Sequence, residues 1–503
     1  MTAQPLRPEA PLAVAVIGAG FAGIGAAIRL RQAGVDDVVV FERDHRIGGT
    51  WRDNTYPGAA CDIPSQLYSY SFAPNPDWSH TYSGSAEILA YIDRVAAEYG
   101  VLEQIRFGHT VSGLSYDEQA GEWIVSFAEH PPVRARSVVI ASGPLSTPSL
   151  PDIPGVGDYA GKTIHSAVWD HDYDFTGKKV AVVGTGASAV QLIPELVRRA
   201  ASVKVFQRTP GWVLPRVNPQ TGEFTRGVFR AVPGAQRLAR AAWYLGHESM
   251  ALGVVWDTPL TRVVEAVAKL NLRLQVRDPW LRRQLTPDFS AGCKRLLMTS
   301  DYYPALQADN CKLVTWPIAR IAPDGIRTVE GIEHQVDCIV FATGFEVGKQ
   351  GLPYPVTGVG GRELATQWRG GAQAYRSVAA AGYPNLYFTF GPNSGPGHNS
   401  ALVYLEAQID FITGAIRMLE RGGWKALEVR EQAQAAFNAD IQRRLKRTTW
   451  NSGCQSWYLT DDGFNATMYP GFATQFIHQL RRVDLQDFRI LVHADSPVAA
   501  GAR

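Results

Sequence analysis

The sequence predicts an α/β protein with two Rossmann-like dinucleotide-binding domains, the second carrying a helical insertion. Two glycine-rich turns lead to this reading. Gly18-Ala19-Gly20-Phe21-Ala22-Gly23 follows the apolar run Leu12–Ile17, and Gly184-Thr185-Gly186-Ala187-Ser188-Ala189 follows Val180–Val183. In both cases a diagnostic residue stands 24 positions after the first glycine, Glu42 in one and Arg208 in the other. Each turn also sits in the strand–helix–strand rhythm of a βαβ unit.

In the first unit, Val14–Ile17 and Val38–Phe41 are continuous apolar runs of the kind buried in parallel sheets, with an Ala-rich helix over Ala22–Ala33 between them. The second repeats the order with Val180–Val183, Val190–Arg199 and Val203–Phe206. Glycines are needed where backbone turns tightly and approaches a pyrophosphate at a helix N-terminus, where free N–H groups and the dipole favour negative charge. Ala189 replaces the third glycine, a tolerated variant. A serine nucleophile elbow at Ser188 is set aside, because the closing glycine and a partner histidine are missing. Glu42 suits ribose hydroxyls, whereas Arg208 suits a 2′-phosphate. The expected cofactors are therefore FAD and NADPH.

A chain of 503 residues buries a substantial core in two or three domains, and 46% hydrophobic with 19% charged residues is ordinary globular composition. The net charge of +2 gives no field for nucleic acid or an anionic membrane. Pro11–Ile28 is uncharged, but its four glycines and many alanines make it a poor membrane span, so no transmembrane segment is expected. No basic leader with a cleavage site precedes it, and a cytoplasmic location is expected. Cysteines 61, 293, 311, 338 and 454 form no C-x-x-C pair. This argues against a zinc site and against a disulfide reductase, and their scatter fits five reduced core thiols.

Ser137–Gly143 and Cys338–Gly344 both read as buried strands ending in small residues, where the chain crosses close to a cofactor. Pro144–Pro154 then reads as an interdomain linker. The expected domains are FAD-binding over 10–148 and 346–491, NADP-binding over 149–216 and 290–345, and a helical insertion over 217–289. Within the insertion, Gln236–Leu245 and Thr261–Leu274 are helical, with Arg237, Arg240, Arg262, Lys269 and Arg273 among apolar residues. Packing over the cofactor cleft is preferred to a membrane-surface role, because Asp257, Glu265 and Asp278 interrupt the basic face.

Between the fingerprints runs Tyr159-Ala-Gly161-Lys-Thr-Ile-His165-Ser-Ala-Val-Trp169-Asp170. It resembles the F-x-G-x-x-x-H-x-x-x-W-[PD] signature of Baeyer–Villiger monooxygenases, the class B flavoproteins that insert oxygen beside a ketone, with Tyr159 in place of Phe. The resemblance extends over about 12–490. Gly48-Gly49-Thr50-Trp51, Asn54–Gly58 and Asp62 resemble the family's flavin-contacting loop, and Tyr68 falls at a flavin neighbour. Gln207-Arg208-Thr209-Pro210 resembles the 2′-phosphate clamp, and Cys293-Lys294-Arg295 the segment supplying a nicotinamide-proximal Lys and the active-site Arg. Asp337–Phe345, Gly391–Asn393, Gly397–Ser400 and Cys454–Tyr458 also match family segments.

The resemblance implies that Arg295 and Asp62 are catalytic. It implies cofactor contacts from Gly18, Gly20, Gly23, Glu42, Thr50, Trp51, Asp53, Asp62 and Tyr68 on the FAD side. On the NADP side it implies contacts from Gly184, Gly186, Ser188, Ala189, Gln191, Arg208, Thr209, Lys294, Arg295 and Trp457. No metal is implied. Leu459–Pro470 departs from the cyclohexanone-type members. The expected reaction places one atom of O2 beside a ketone carbonyl through a flavin C4a-peroxide. Arg295, which never deprotonates, would hold that peroxide and the adduct as anions, and Asp62 would hold Arg295. His165 and Trp169 position the linker and are not reagents. Two other readings are an N- or S-oxygenating flavin monooxygenase and a non-catalytic redox-sensing flavoprotein. Trp169 and Arg295 weigh against the first, and the 2′-phosphate site against the second. The expected partners are a small ketone and O2, with the chain a monomer or weak homo-oligomer.

Overall fold

The computed structural model describes residues 10–347, 352–454, 456, 458–460 and 462–493. Two sheets organise it. The larger has eight strands, in the order Val356–Thr357, Val111–Asp117, Glu122–Phe127, Val133–Ile140, Leu12–Ile17, Val38–Phe41 and Ile105–Arg106, with Leu386–Phe388 also paired to Val133–Ile140. One edge of Val133–Ile140 is shared. Its first residues pair antiparallel with Trp123–Val125, and its last pair parallel with Leu386–Phe388. The second sheet is wholly parallel: Cys311–Val314, Ser202–Phe206, Lys179–Val183, Cys338–Phe341 and Lys162–His165. Two Rossmann-like units of the expected class are therefore present.

The glycine turns explain themselves sterically. Gly18 has φ +105°, and a Cβ there would stand 2.7 Å from the Ala141 carbonyl oxygen. A Cβ on Gly23 would stand 1.8 Å from the Gly18 oxygen, so the helix Phe21–Gln32 packs onto its strand only with glycine at that position. Gly184 repeats the first case, with φ +116° and a virtual Cβ 2.4 Å from the Ala342 oxygen. The second unit accommodates Ala189, fully buried on the helix Ala187–Val197.

The chain passes between the two sheets twice, and the crossings are tied together. Pro148 and Phe345 form a bridge, Ser149 N–H donates to the Gly344 carbonyl at 2.9 Å, and Thr343 Oγ1 donates to the Ser149 carbonyl. His165 ends its strand beside this crossing, its ring 6.4 Å from that of Phe345. Trp169 stacks on Phe175 at 5.3 Å. Gly161 is required because a Cβ there would lie 2.4 Å from the Tyr159 hydroxyl, which itself donates to the Val336 carbonyl. The G-x3-H-x3-W segment is thus a hinge brace.

Residues 217–289 contain the helices Glu223–Ala231, Ala235–Val254, Pro259–Gln275 and Pro279–Gln284. Both long helices exceed the stretches legible in sequence; the second starts earlier because Thr258, its N-cap, and Thr261, inside its first turn, form a capping box around Pro259. The layer is anchored to the larger sheet's side of the molecule. Arg240 donates to the carbonyls of Gln66, Leu67 and Ser69 and pairs with Glu406 at 3.4 Å. Glu248 accepts from His398, Asn399 and the N–H groups of Ala473 and Thr474. Against burial, which would raise it, these donors hold the Glu248 carboxyl down at about 2.

One expectation is corrected. Cys293 and Cys454 form a disulfide across 161 residues with Cα atoms 6.2 Å apart, so the five cysteines are not all reduced thiols. Scattered spacing hides a pair that folding brings together. Cys61, Cys311 and Cys338 remain free. Denatured without reductant, the protein is expected to titrate as three thiols, and with reductant as five; five in both conditions would remove the bridge.

Candidate active site

Glu42 directly follows the strand Val38–Phe41 of the large sheet and is 4% exposed. Its carboxylate accepts from Ala19 N–H at 2.7 Å, inside the first fingerprint, and from Asp44 N–H. Arg52 Nη1 donates to it at 3.0 Å and Arg52 Nε to Asp53 at 2.7 Å. Asp53 is therefore turned toward Arg52, a residue the sequence reading passed over. Gly48 and Gly49 have φ +125° and +52°, and a Cβ on Gly49 would stand 3.1 Å from the Gly20 Cα. The short helix Thr50–Asp53 thereby lies against the first fingerprint. Trp51 Nε1 donates to the Tyr68 hydroxyl at 3.1 Å, and the Tyr68 ring is edge-on to Phe21. Burial pushes the Tyr68 phenol well up, so it stays protonated. Glycines that no Cβ could replace, next to a buried carboxylate and an aromatic wall, fit a dinucleotide bearing a flat ring system.

The second fingerprint has a different neighbourhood. Gly186 N-caps its helix, and a Cβ there would meet nothing within 4 Å, leaving open space before the helix N-terminus. Arg208 and Thr209 are exposed on the turn after Ser202–Phe206, and Lys294 Nζ donates to Thr209 Oγ1 at 3.0 Å. Partial burial, then the Arg208 charge, lower the Lys294 ammonium below its ordinary value. Two cations held together around a threonine fit a dianionic phosphate.

Gln191 joins the two units. Its side chain accepts from the Tyr56 hydroxyl and Ala60 N–H and donates to the Ala60 carbonyl. Gly58 permits the contact, since a Cβ there would stand 2.6 Å from the Gln191 carbonyl oxygen. Ser188, on the same helix, interacts with the Tyr56 hydroxyl.

Across the cleft, Arg295 grips Asp62. Arg295 Nε and Nη2 donate to the two carboxylate oxygens at 2.7–3.0 Å. The Asp62 charge raises the Arg295 guanidinium further above its already high ordinary value. The Arg295 side chain is nevertheless 49% exposed, so the cation faces an open cleft. Tyr458, itself buried, bonds the Arg295 backbone. Arg216, absent from the sequence reading, donates to the carbonyls of Cys61 and Tyr82 and fixes the loop bearing Asp62. No motif marks it; only the fold brings it there. Trp457 lies outside the described residues.

The family model for pyridine nucleotide-disulphide oxidoreductases matches residues 15–224. That stretch contains a single cysteine, Cys61, so the match reports the dinucleotide fold and not a redox dithiol. A Baeyer-Villiger monooxygenase of Streptomyces coelicolor is 43% identical over 491 residues, covering 97% of this chain and 94% of that protein. One of Pseudomonas aeruginosa is 40% identical over 506 residues, covering 99% and 95%. Among solved structures, an oxidized steroid monooxygenase bound to NADP superposes with TM-score 0.84 at 30% identity, over 96% of this chain and 100% of that one. Closed cyclohexanone monooxygenase gives TM-score 0.86 at 26% identity, over 96% and 99%. The chain belongs to the Baeyer–Villiger monooxygenase family.

Proposed function

We propose that this protein uses FAD and NADPH to convert a ketone to an ester or lactone, with Arg295 and Asp62 at the reacting centre. NADPH provides two electrons, one atom of O2 enters the bond beside the carbonyl, and the other leaves as water. FAD is assigned to residues 10–148 and 346–491, NADPH to 149–216 and 290–345, with 217–289 as the inserted layer. Relatives of the family support the pair: one solved neighbour, superposing with TM-score 0.87 at 25% identity, holds both FAD and NADP.

The carrying observation is that adjacent residues serve two sites. Lys294 reaches Thr209 beside Arg208, while Arg295 reaches Asp62 beside the first fingerprint's loops. A two-residue segment therefore registers the phosphate end of one nucleotide against the reacting end of the other. When bound, the flavin supplies oxygen activation and the nicotinamide supplies hydride. The protein's part is electrostatic and positional. Arg295 holds a permanent positive charge where negative charge develops on the ketone oxygen. Asp62 orients the guanidinium through two parallel donors, and Arg216 orients Asp62's loop. Arg208, Thr209 and Lys294 clamp the 2′-phosphate. Trp51 and Tyr68 line the flavin side and Gln191 keeps the two units in register. The protein is assigned to the cytoplasm as a monomer or weak homo-oligomer.

Arg295→Ala is expected to lose ester formation by about 10²-fold or more, the scale of removing an oxyanion stabiliser, while flavin reduction by NADPH survives. Product mass with a panel of linear, cyclic, aryl and steroid ketones reads it, and full turnover by the variant removes Arg295 from the chemistry. Arg208→Ala should raise KM for NADPH and leave KM for NADH unchanged, since a uniform-binding contact appears in KM. Equal use of both nucleotides by the wild type would refute the clamp. Trp169→Ala should remain folded and yellow but oxidise more NADPH than ketone, because the hinge brace sets the approach of the two cofactors. Unaltered coupling would reduce that motif to packing.

A further inference from the structure

Among the described residues, the inserted layer carries most of the large apolar side chains that are exposed. Of 23 large hydrophobic side chains exposed among the described residues, 14 lie within 217–289, a segment of 73 residues in 503. The helix Pro259–Gln275 shows why. Its inner face buries Ala268 and Leu272, yet Leu260, Val263, Val267, Leu270 and Leu274 are 44–75% exposed. Their spacing, alternating three and four, lays them in one stripe along the helix. Leu238, Leu245 and Leu252 repeat at sevens on the preceding helix and are also exposed. Gly253 brings the end of that helix against Leu260, where a Cβ would stand 3.3 Å from its backbone.

The charge on this layer is one-sided. Residues 217–289 hold 10 Lys and Arg against 6 Asp and Glu, more positive than the +2 of the whole chain. The acids that interrupt the basic pattern in sequence are mostly used internally. Glu265 accepts from Ala291 N–H, and Asp278 caps the next helix through Trp280 and Leu281 N–H. Glu265 is the sole acid of the helix Pro259–Gln275. Arg262 and Arg273 flank its apolar stripe, exposed and without an ion pair among the described residues. Trp280 stands 63% exposed beyond its end.

We infer that this stripe docks onto an anionic phospholipid surface, seating Leu260, Val263, Val267, Leu270 and Leu274 at the headgroup boundary and Arg262 and Arg273 on lipid phosphates. A second copy of the chain is the lesser fit. Isologous packing of this helix on itself brings basic residues together with no exposed acid on the helix to offset them. A bilayer supplies the missing negative charge, and apolar stripe, flanking arginines and nearby tryptophan form the pattern of an interfacial helix. Docking is peripheral, because no helix among the described residues is long and apolar enough to cross a membrane.

The test is co-sedimentation of FAD-loaded, full-length protein with vesicles of phosphatidylcholine, with and without phosphatidylglycerol, at low and high salt. Wild type should bind the anionic vesicles at least about tenfold more tightly than the neutral ones, and high salt should weaken the difference. Leu270→Glu with Leu274→Glu should abolish binding, and Arg262→Glu with Arg273→Glu should remove the anionic preference. Both double variants should keep ketone-dependent NADPH oxidation without vesicles, which also reports their folding. Wild type that does not sediment with either vesicle overturns the proposal, whatever the variants do. So does vesicle binding unchanged by Leu270→Glu with Leu274→Glu. A concentration-dependent dimer that this double variant dissociates, with no vesicle binding, would assign the face to a second copy.

Discussion

The proposed chemistry depends on holding Arg295 against Asp62, two residues 233 positions apart in sequence. A lone guanidinium in that place would be free to swing toward solvent or toward any anion. Paired through parallel N–H donors it has a defined orientation, yet its half-exposed side chain leaves charge available to the cleft. The pair also couples the two nucleotide units, since each partner belongs to a different one. A salt bridge on a surface would contribute little to stability. Here its worth is positional.

The rest of the interface supports that pair. Gln191 is fitted between Tyr56 and both polar groups of Ala60, with Gly58 allowing the backbones to approach. Arg216 holds the carbonyl of Cys61, the residue before Asp62. The two chain crossings are bonded to each other at Ser149 and Gly344, so the linkers act as one hinge and not as two loose connections. His165 ends the edge strand beside that hinge, and Trp169 follows four residues on, stacked on Phe175. On the proposed reading, this is how a motif away from the Arg295–Asp62 pair would bear on chemistry that tolerates only small misplacement. The Cys293–Cys454 bridge adds a covalent tie one residue before Lys294.

The inserted helices serve two faces with different chemistry. Inward, Arg240 and Glu248 are saturated by carbonyls, amides and a histidine, which makes the layer a fixed cover. Outward, the same helices present leucines and arginines. Sequence periodicity registers both faces at once as a helix rich in apolar and basic residues, and therefore does not separate them. Knowing which acids turn inward is what separates them.

The two fingerprints, the strands beside them and the charge contrast of Glu42 with Arg208 were legible in the sequence because local sterics dictate them. A Cβ at Gly18, Gly23 or Gly184 has nowhere to go, whatever the rest of the chain does. The parallel strands likewise declare themselves as unbroken apolar runs. Family resemblance added Asp62, Lys294 and Arg295, although nothing in the spacing of those residues alone brings them together. Arg52 beside Glu42, Arg216 on the Asp62 loop and the pairing of Cys293 with Cys454 were decided only by the tertiary structure. The first closes a ten-residue turn and the other two join segments 155 and 161 residues apart, all made by residue types that no motif marks. Local rules carry no information about such meetings; they arise when two sheets, joined by a braced hinge, close on one cleft.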